Sequence, residues 1–295
     1  MQSTVVSSPA KVNLFLAVIG RRPDGFHNLV SLAAPVAFGD QLRIELNPEG
    51  GPDTLVCDCP GVPTDKDNLI MKAAALFRAQ HAFPEGICFQ LKKRIPLNAG
   101  LGGGSSNATA ALRGLNMCLG SPLSPEVLAG IAADVGSDCS LFLENAPVLV
   151  RGRGERVTPL SESVIARLRG MRLLLFKPDF GIHTAWAYHQ LCVLGREAYL
   201  SSQRAEALLE SWIKEGVQTP GGLYNSFEHE VFKKYLSLPV LVNQIREVFG
   251  LRCLMSGSGS TCFAILDRDT PVEALRRVIT EAWGMELFMV ETSVL

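Results

Sequence analysis

The sequence predicts an α+β fold with two layers per domain. Three observations carry this. Strand-like and helix-like segments mix without the strict alternation of a doubly wound sheet. The 295 residues suffice for one large or two medium domains. A strongly apolar strand restarts at Met171–Phe176 after a turn-rich stretch, so a boundary is expected near Thr158–Ile165, giving domains 1–160 and 161–295.

Taken in order, the elements have local reasons. Val12–Ile19 is an apolar run ended by Gly20, followed by the turn signal Arg22-Pro-Asp-Gly25. Leu29–Val36 and Asp40–Leu46 read as two further strands, and Asn47–Pro52 as a loop. Asn68–His81 has helical spacing, with Leu69, Ala73, Leu76 and Phe77 on one face. Ile87–Leu91 alternates like a strand, and Ser105–Cys118 is rich in helix formers. Pro125–Val135 is a helix capped by Ser124, with proline at its first position. Ala146–Val150 is a strand closed by the turn Arg151-Gly-Arg-Gly154. In the second half, helices are expected at Thr184–Leu194, Ala205–Lys214, Glu228–Tyr235, Val240–Val248 and Val272–Ala282. Strands are expected at Cys253–Met255, Cys262–Leu266 and Glu286–Thr292.

Composition narrows the function classes. Twenty-eight Lys and Arg against 29 Asp and Glu leave a net charge of −1, with no basic face for nucleic acid. The eight cysteines are scattered without a C-x-x-C, and the five histidines do not complete a zinc spacing with them. Most are therefore expected to be small buried residues in a reducing, cytoplasmic setting. No signal peptide and no bilayer-length apolar run is visible, so no membrane role is expected. A small-molecule substrate is the expected partner, and either a monomer or a homodimer is compatible with the sequence.

The chemistry concentrates in residues 94–112. Gly100, Gly102, Gly103 and Gly104 precede Ser105, Ser106 and an Ala-rich helix. Backbone without side chains lets N–H groups approach a ligand, and the helix N-terminus turns its positive dipole end to the same place. This suits a phosphate. It is not a Walker A loop, since no Gly-Lys pair occurs, and the spacing G-x-G-G-G is not the dinucleotide fingerprint. The Ser105 and Ser106 hydroxyls stand where they can ligate Mg²⁺ on phosphate oxygens; the alternative reading is that they cap the helix. Three other segments carry reactive groups. Lys11 opens an apolar strand beside Asn13, where an ammonium can offset transition-state charge. Asp138 lies in Gly136-Ser-Asp-Cys139 before an apolar run, a setting for a general base or for a turn cap. Ser256-Gly-Ser-Gly259 is a second glycine loop, readable also as a hairpin turn.

In this order the segments resemble the GHMP small-molecule kinase superfamily, named for galactokinase, homoserine kinase, mevalonate kinase and phosphomevalonate kinase. Within it, Ser8–Leu16, Asp24–His27, Asp67-Asn-Leu69, Gly100–Ala108, Gly136–Asp138, Asn225–Glu228 and Ser256–Gly259 are most similar to the 4-diphosphocytidyl-2-C-methyl-D-erythritol kinase family. The resemblance implies a two-domain α+β fold with the site in the interdomain cleft, and ATP-dependent phosphorylation of the substrate's 2-hydroxyl with Mg²⁺. It implies Asp138 as catalytic base with Lys11 as its partner. ATP would be held by Asn68, Pro96, Asn98, Ala99, Gly100, Leu101, Gly102, Gly103, Gly104, Ser105 and Ser106. The substrate would meet Asn13, Thr184, Gly257 and Gly259, with His27 at the cytosine edge, Phe26 beside it and Tyr188 stacked on the base. Phe26 stands where the family usually has Tyr, and Asn98-Ala99 where Gly-Gly is common. The rival expectations are another GHMP kinase, acting on mevalonate, homoserine or a sugar, and a nucleotide-binding sensor without turnover.

Overall fold

A computed structural model describes residues 2–216 and 222–295. It is a mixed α and β structure around two sheets. Strands β1 (Ser3–Arg21) and β2 (His27–Asn47) form one long antiparallel hairpin. Beyond it lie β3 (Thr54–Cys57), α1 (Leu69–Gln80), β4 (Gly86–Lys92), α2 (Gly103–Cys118), α3 (Pro125–Val135), β5 (Val148–Gly152) and β6 (Arg156–Pro159). The first sheet runs β3-β4-β2-β1-β8, with β5 pairing β2 and β6; β8 (Tyr224–Asn225) adds in parallel to the middle of β1. The second sheet runs β11-β7-β10-β9, built from β7 (Arg172–Lys177), β9 (Cys253–Met255), β10 (Cys262–Ile265) and β11 (Phe288–Ser293). Helices α4 (Glu162–Leu168), α5 (Thr184–Leu194), α6 (Ser202–Glu215), α7 (Glu228–Lys234), α8 (Ser237–Phe249) and α9 (Val272–Trp283) complete the described chain.

Apolar periodicity explains the layering. Ala108, Ala111, Leu112 and Leu115 of α2 join Phe77 of α1 and Leu42, Ile44 and Phe89 of the sheet in one buried cluster. That packing fixes the N-terminus of α2 over the strands that carry Lys11 and Asp40. Alternating side chains of β7 divide between two further clusters, with Leu174 and Phe176 in one and Leu173 and Leu175 in the other.

Four expectations change in detail. β1 begins at Ser3, because residues 3–10 alternate between exposed and buried positions while serines mask the pattern. Lys11 therefore sits inside the strand, just past the register shift at Pro9, and does not open it. The two strands read at 29–46 are one, running on through Gly39, where a side chain would collide with the Ser8 carbonyl. The short elements β3, β6, α4 and β8 carry too few periodic positions to announce themselves. Of the eight cysteines, Cys118, Cys139, Cys253 and Cys262 are buried, and Cys57, Cys59, Cys88 and Cys192 are only partly so. Among the described residues no helix is long and apolar enough to cross a membrane.

Candidate active site

A cleft of about 1030 Å³ collects nearly every residue singled out from the sequence. Its floor is the glycine loop. The first bond of α2 runs from the Ser106 N–H to the Gly102 carbonyl at 2.9 Å. The N–H groups of Gly103, Gly104 and Ser105 precede that bond, and all three residues line the cleft. Gly102 has φ +71°, and any Cβ there would press on Phe142 and on the Lys11 stem. Gly100 is more constrained: at φ +73° its Cβ would lie 2.1 Å from the Ser256 carbonyl oxygen.

That contact reveals how the second glycine loop works. β9 and β10 form the expected hairpin, and its turn also docks on the first loop. Ser256 Oγ donates to the Gly100 carbonyl at 3.0 Å, and the Thr261 N–H donates to the Ala99 carbonyl at 3.2 Å. Asn225 Nδ2 donates to the Met255 and Gly257 carbonyls at 2.7 and 2.8 Å. Glu228 Oε1 accepts the Met255 N–H at 2.8 Å, and burial pushes its carboxyl up to about 7. Gly257 reaches the cleft, whereas Gly259 turns inward against Met255 and Ile182 and does not line it.

Lys11 and Asp138 come from distant parts of the chain and meet at 3.7 Å. Lys11 is 4% exposed, and burial lowers its ammonium pKa while Asp138 pulls it back up. The Lys11 N–H donates to the Leu101 carbonyl at 3.0 Å, locking the strand to the glycine loop. Its Nζ donates to Asn13 Oδ1, and Asn13 Nδ2 donates to Ser31 Oγ at 2.8 Å. The Asp138 side chain stays 41% exposed on the cleft wall, within reach of any group that enters the cleft.

Ser106 is the clearest departure from expectation. It is 1% exposed, does not line the cleft, and its Oγ accepts from Ser8 Oγ at 2.8 Å. Being one position past the open turn, it faces the sheet. Ser105 faces the cleft. Asn68 lines the cleft too, while its side chain caps α1 by accepting the Ile70 N–H at 2.9 Å. Pro96, Asn98, Ala99 and Leu101 line the same wall, and Asn98 takes φ 50°, a backbone region Asn tolerates. Thr184 pairs with Ser258 at 2.8 Å across the cleft's other side.

At the far end, His27 and Tyr188 are brought into contact with each other. Their rings stack at 4.8 Å between centroids. Phe26 is 47% exposed, with the Arg153 guanidinium 5.2 Å from its ring centre. Burial and the nearby Arg21 charge lower the His27 pKa.

Sequence reasoning missed a buried network under the helix tip. Asp40, 1% exposed, accepts from the Arg94 and Ile95 N–H groups at 2.6 and 2.7 Å, from Asn107 Nδ2 at 2.8 Å, and from Lys93 Nζ. Lys93 itself lines the cleft, 2.8 Å from where a Gly103 Cβ would lie. The signal was present: Asp40 is a carboxylate between apolar strand positions, and Lys93 stands immediately before the loop segment.

A helix tip open to phosphate, a buried lysine and a facing carboxylate, set in this fold, are the makings of a small-molecule kinase. The chain matches the family model "GHMP kinases N terminal domain" over residues 68–144 and "GHMP kinases C terminal" over residues 205–284. It is 38% identical over 268 residues to the 4-diphosphocytidyl-2-C-methyl-D-erythritol kinase of Methylacidiphilum infernorum, covering 90% of this chain and 86% of the relative. A relative of the same name from Prochlorococcus marinus (strain MIT 9303) is 38% identical over 283 residues, covering 92% and 87%. A crystal structure of 4-(cytidine 5'-diphospho)-2C-methyl-D-erythritol kinase superposes with a TM-score of 0.75 at 32% identity, covering 98% of this chain and 99% of the other. Homoserine kinase from Cytophaga hutchinsonii shares the fold, with a TM-score of 0.74 at 16% identity over 100% and 95% of the two chains. The chain belongs to the GHMP kinase family.

Proposed function

We propose that this protein transfers the γ-phosphoryl group of ATP to the 2-hydroxyl of 4-diphosphocytidyl-2-C-methyl-D-erythritol. The observation that carries the chemistry is the Lys11–Asp138 pair at 3.7 Å beside an open helix tip. The relatives' name supports the substrate. The triphosphate lies along the N–H groups of Gly103, Gly104 and Ser105, with Lys93 beneath them. Asp138 accepts the proton of the substrate hydroxyl as its oxygen bonds to the γ-phosphorus. The bond from phosphorus to the β–γ bridging oxygen breaks, and ADP leaves. The Lys11 ammonium offsets charge on the attacking oxygen, and Asn13 orients that ammonium. The cytidine end lies toward Phe26 and His27. Positioning supplies most of the rate, since phosphoryl transfer needs little covalent help.

Mg²⁺ fits this reading as an ion carried by the nucleotide. No cluster of three or more His, Cys, Asp or Glu suited to a metal exists among the described residues. Protein oxygens on the cleft wall that would hold it include the Ser105 hydroxyl and the Asp138 carboxylate. A small hard cation bound mainly through phosphates and water needs no more. It supplies neutralisation of the phosphate oxygens. We further read the enzyme as cytoplasmic, a monomer or homodimer, with the cleft between domains 1–160 and 161–295.

The test is ADP release from a panel of alcohols. ADP release with the cytidyl substrate, and not with mevalonate, homoserine or galactose, is expected. Turnover of one of those three instead would reassign the enzyme within its family. Nucleotide binding with no ADP release from any of them would point to a sensor.

A further inference from the structure

The Asp138 carboxylate has little of its own to hold it in place. Among the described residues its only ion pair is with Lys11, and its side chain is 41% exposed. The turn that carries it therefore sets its position. Gly136 closes α3 by donating its N–H to the Ala132 carbonyl at 3.1 Å. The Cys139 N–H donates back to the Gly136 carbonyl at 3.1 Å, and Asp138 rides between these two points.

Both ends of this turn are tied to helices of the nucleotide wall. On the far side, the buried Thr109 hydroxyl of α2 has one proton between two carbonyls, 2.8 Å from that of Cys139 and 3.0 Å from that of Ser105. On the near side, α3 ends in carbonyls without helical partners and has no basic residue of its own in the last turn. Lys72 fills that place from α1. Its Nζ donates to the Asp134 carbonyl at 2.7 Å and to the Val135 carbonyl at 2.9 Å. An ammonium there satisfies orphan acceptors and meets the negative end of the helix dipole. The Lys72 N–H donates to the Asn68 carbonyl at 3.0 Å, and Asn68 and Leu69 line the cleft. One side chain thus joins the helix that starts at the nucleotide wall to the helix that ends at the Asp138 turn.

We propose that Lys72 is a positioning residue for phosphoryl transfer: by clamping the end of α3 to α1 it holds Asp138 in register with the nucleotide and with Lys11. The inference rests on the reading of Asp138 as the base. Lys72 does not line the cleft and touches no reactant. It acts through geometry, where a misplacement of about 1 Å can cost about 10²-fold in rate. Lys72 is exposed, whereas Ile70, Ala73 and Phe77 of α1 and Leu128 and Ile131 of α3 carry the packing between these helices and the core.

The experiment compares Lys72→Met, Lys72→Arg and Asp138→Asn with wild type in coupled kinetics with 4-diphosphocytidyl-2-C-methyl-D-erythritol, alongside the ATP dissociation constant of each. Lys72→Met is expected to lower kcat about 10–100-fold with ATP affinity within about threefold of wild type. The alkaline limb of its kcat profile is expected to move down toward that of Asp138→Asn, because the carboxylate that holds up the Lys11 pKa has moved off. Loss of the Lys72 charge by itself would move that limb up, so the direction identifies the cause. Lys72→Arg keeps the charge and the donors, and is expected to recover most of the rate. A Lys72→Met kcat within about twofold of wild type would overturn the proposal. So would a fall in kcat with an unmoved limb, or one matched by lost ATP affinity, since a merely structural role does that. An Arg variant no better than the Met variant would exclude the clamp as well. No turnover by the wild type, or full turnover by Asp138→Asn, would overturn the base assignment and the role of Lys72 with it. Lost turnover in Asp138→Asn with none lost in Lys72→Met would overturn the role of Lys72 alone.

Discussion

Glu228 supports the second glycine loop through the Met255 N–H, and its carboxyl titrates at about 7 instead of the ordinary 4.5 because it is buried. Below about pH 4.5 both the folded and unfolded chains hold its proton, and the native environment contributes in full. Between that value and about 7 the folded chain keeps a proton that the unfolded chain has lost, so this contribution shrinks as pH rises. At about 1.4 kcal/mol per pH unit, the interval is worth about 3 kcal/mol. The perturbation is Glu228→Gln, which keeps an acceptor for Met255 and cannot titrate. Denaturant unfolding of both proteins is followed from about pH 4 to about pH 8. Relative to the variant, the wild type should lose about 3 kcal/mol across that range. His27 pulls the other way, because its lowered pKa costs stability as pH falls below 6.5, but it is common to both proteins and cancels in the difference. A difference that stays flat within about 0.5 kcal/mol would refute the placement of this carboxyl in a dry pocket.

Three further outcomes follow from the same geometry. Asp40→Asn leaves the Lys93 ammonium without its counter-charge and should cost about 3–5 kcal/mol with a raised KM for ATP; adding Lys93→Met should recover part of the stability, measured by unfolding and coupled kinetics. Gly100→Ala must move backbone away from Ser256 and should destabilise by more than about 2 kcal/mol, whereas Gly104→Ala, with its nearest neighbour Leu69 Cδ1 at 3.8 Å, should gain about 0.5–1 kcal/mol in thermal unfolding. The alkaline limb of the kcat profile should fall below the ordinary lysine value of 10.5, because burial lowers the Lys11 pKa. In Asp138→Asn the residual activity should show that limb shifted lower still, since the charge that raises it is gone.

The sequence made the site legible where the chemistry is local. Gly100–Ser106 reads as a phosphate cradle because glycine run and helix formers are contiguous, and in the structure Gly103, Gly104 and Ser105 line the cleft. The choice between Ser105 and Ser106 was not legible, because it turns on a 100° rotation between neighbours on a helix whose first turn begins at Gly103. The meeting of Lys11 with Asp138 came only through the ordered motifs, since residues so far apart carry no shared period. The Asp40–Lys93 pair was not legible because it depends on the register of β2 against β4, with Gln41 opposite Lys92. The long helices were legible throughout, and α3 and α5 fall within the residues that proline, cap and apolar spacing indicate.

The central claim is that a carboxylate at position 138 takes the hydroxyl proton beside a nucleotide that it does not itself hold. It is tested most directly by a single-turnover assay of the wild type and Asp138→Asn with saturating ATP and 4-diphosphocytidyl-2-C-methyl-D-erythritol, alongside the ATP dissociation constant of each. A rate of phosphoryl transfer lower by about 10²–10⁴ with an ATP affinity within about threefold of wild type is predicted. Wild-type transfer by the Asn variant, or a loss confined to ATP binding, would contradict it.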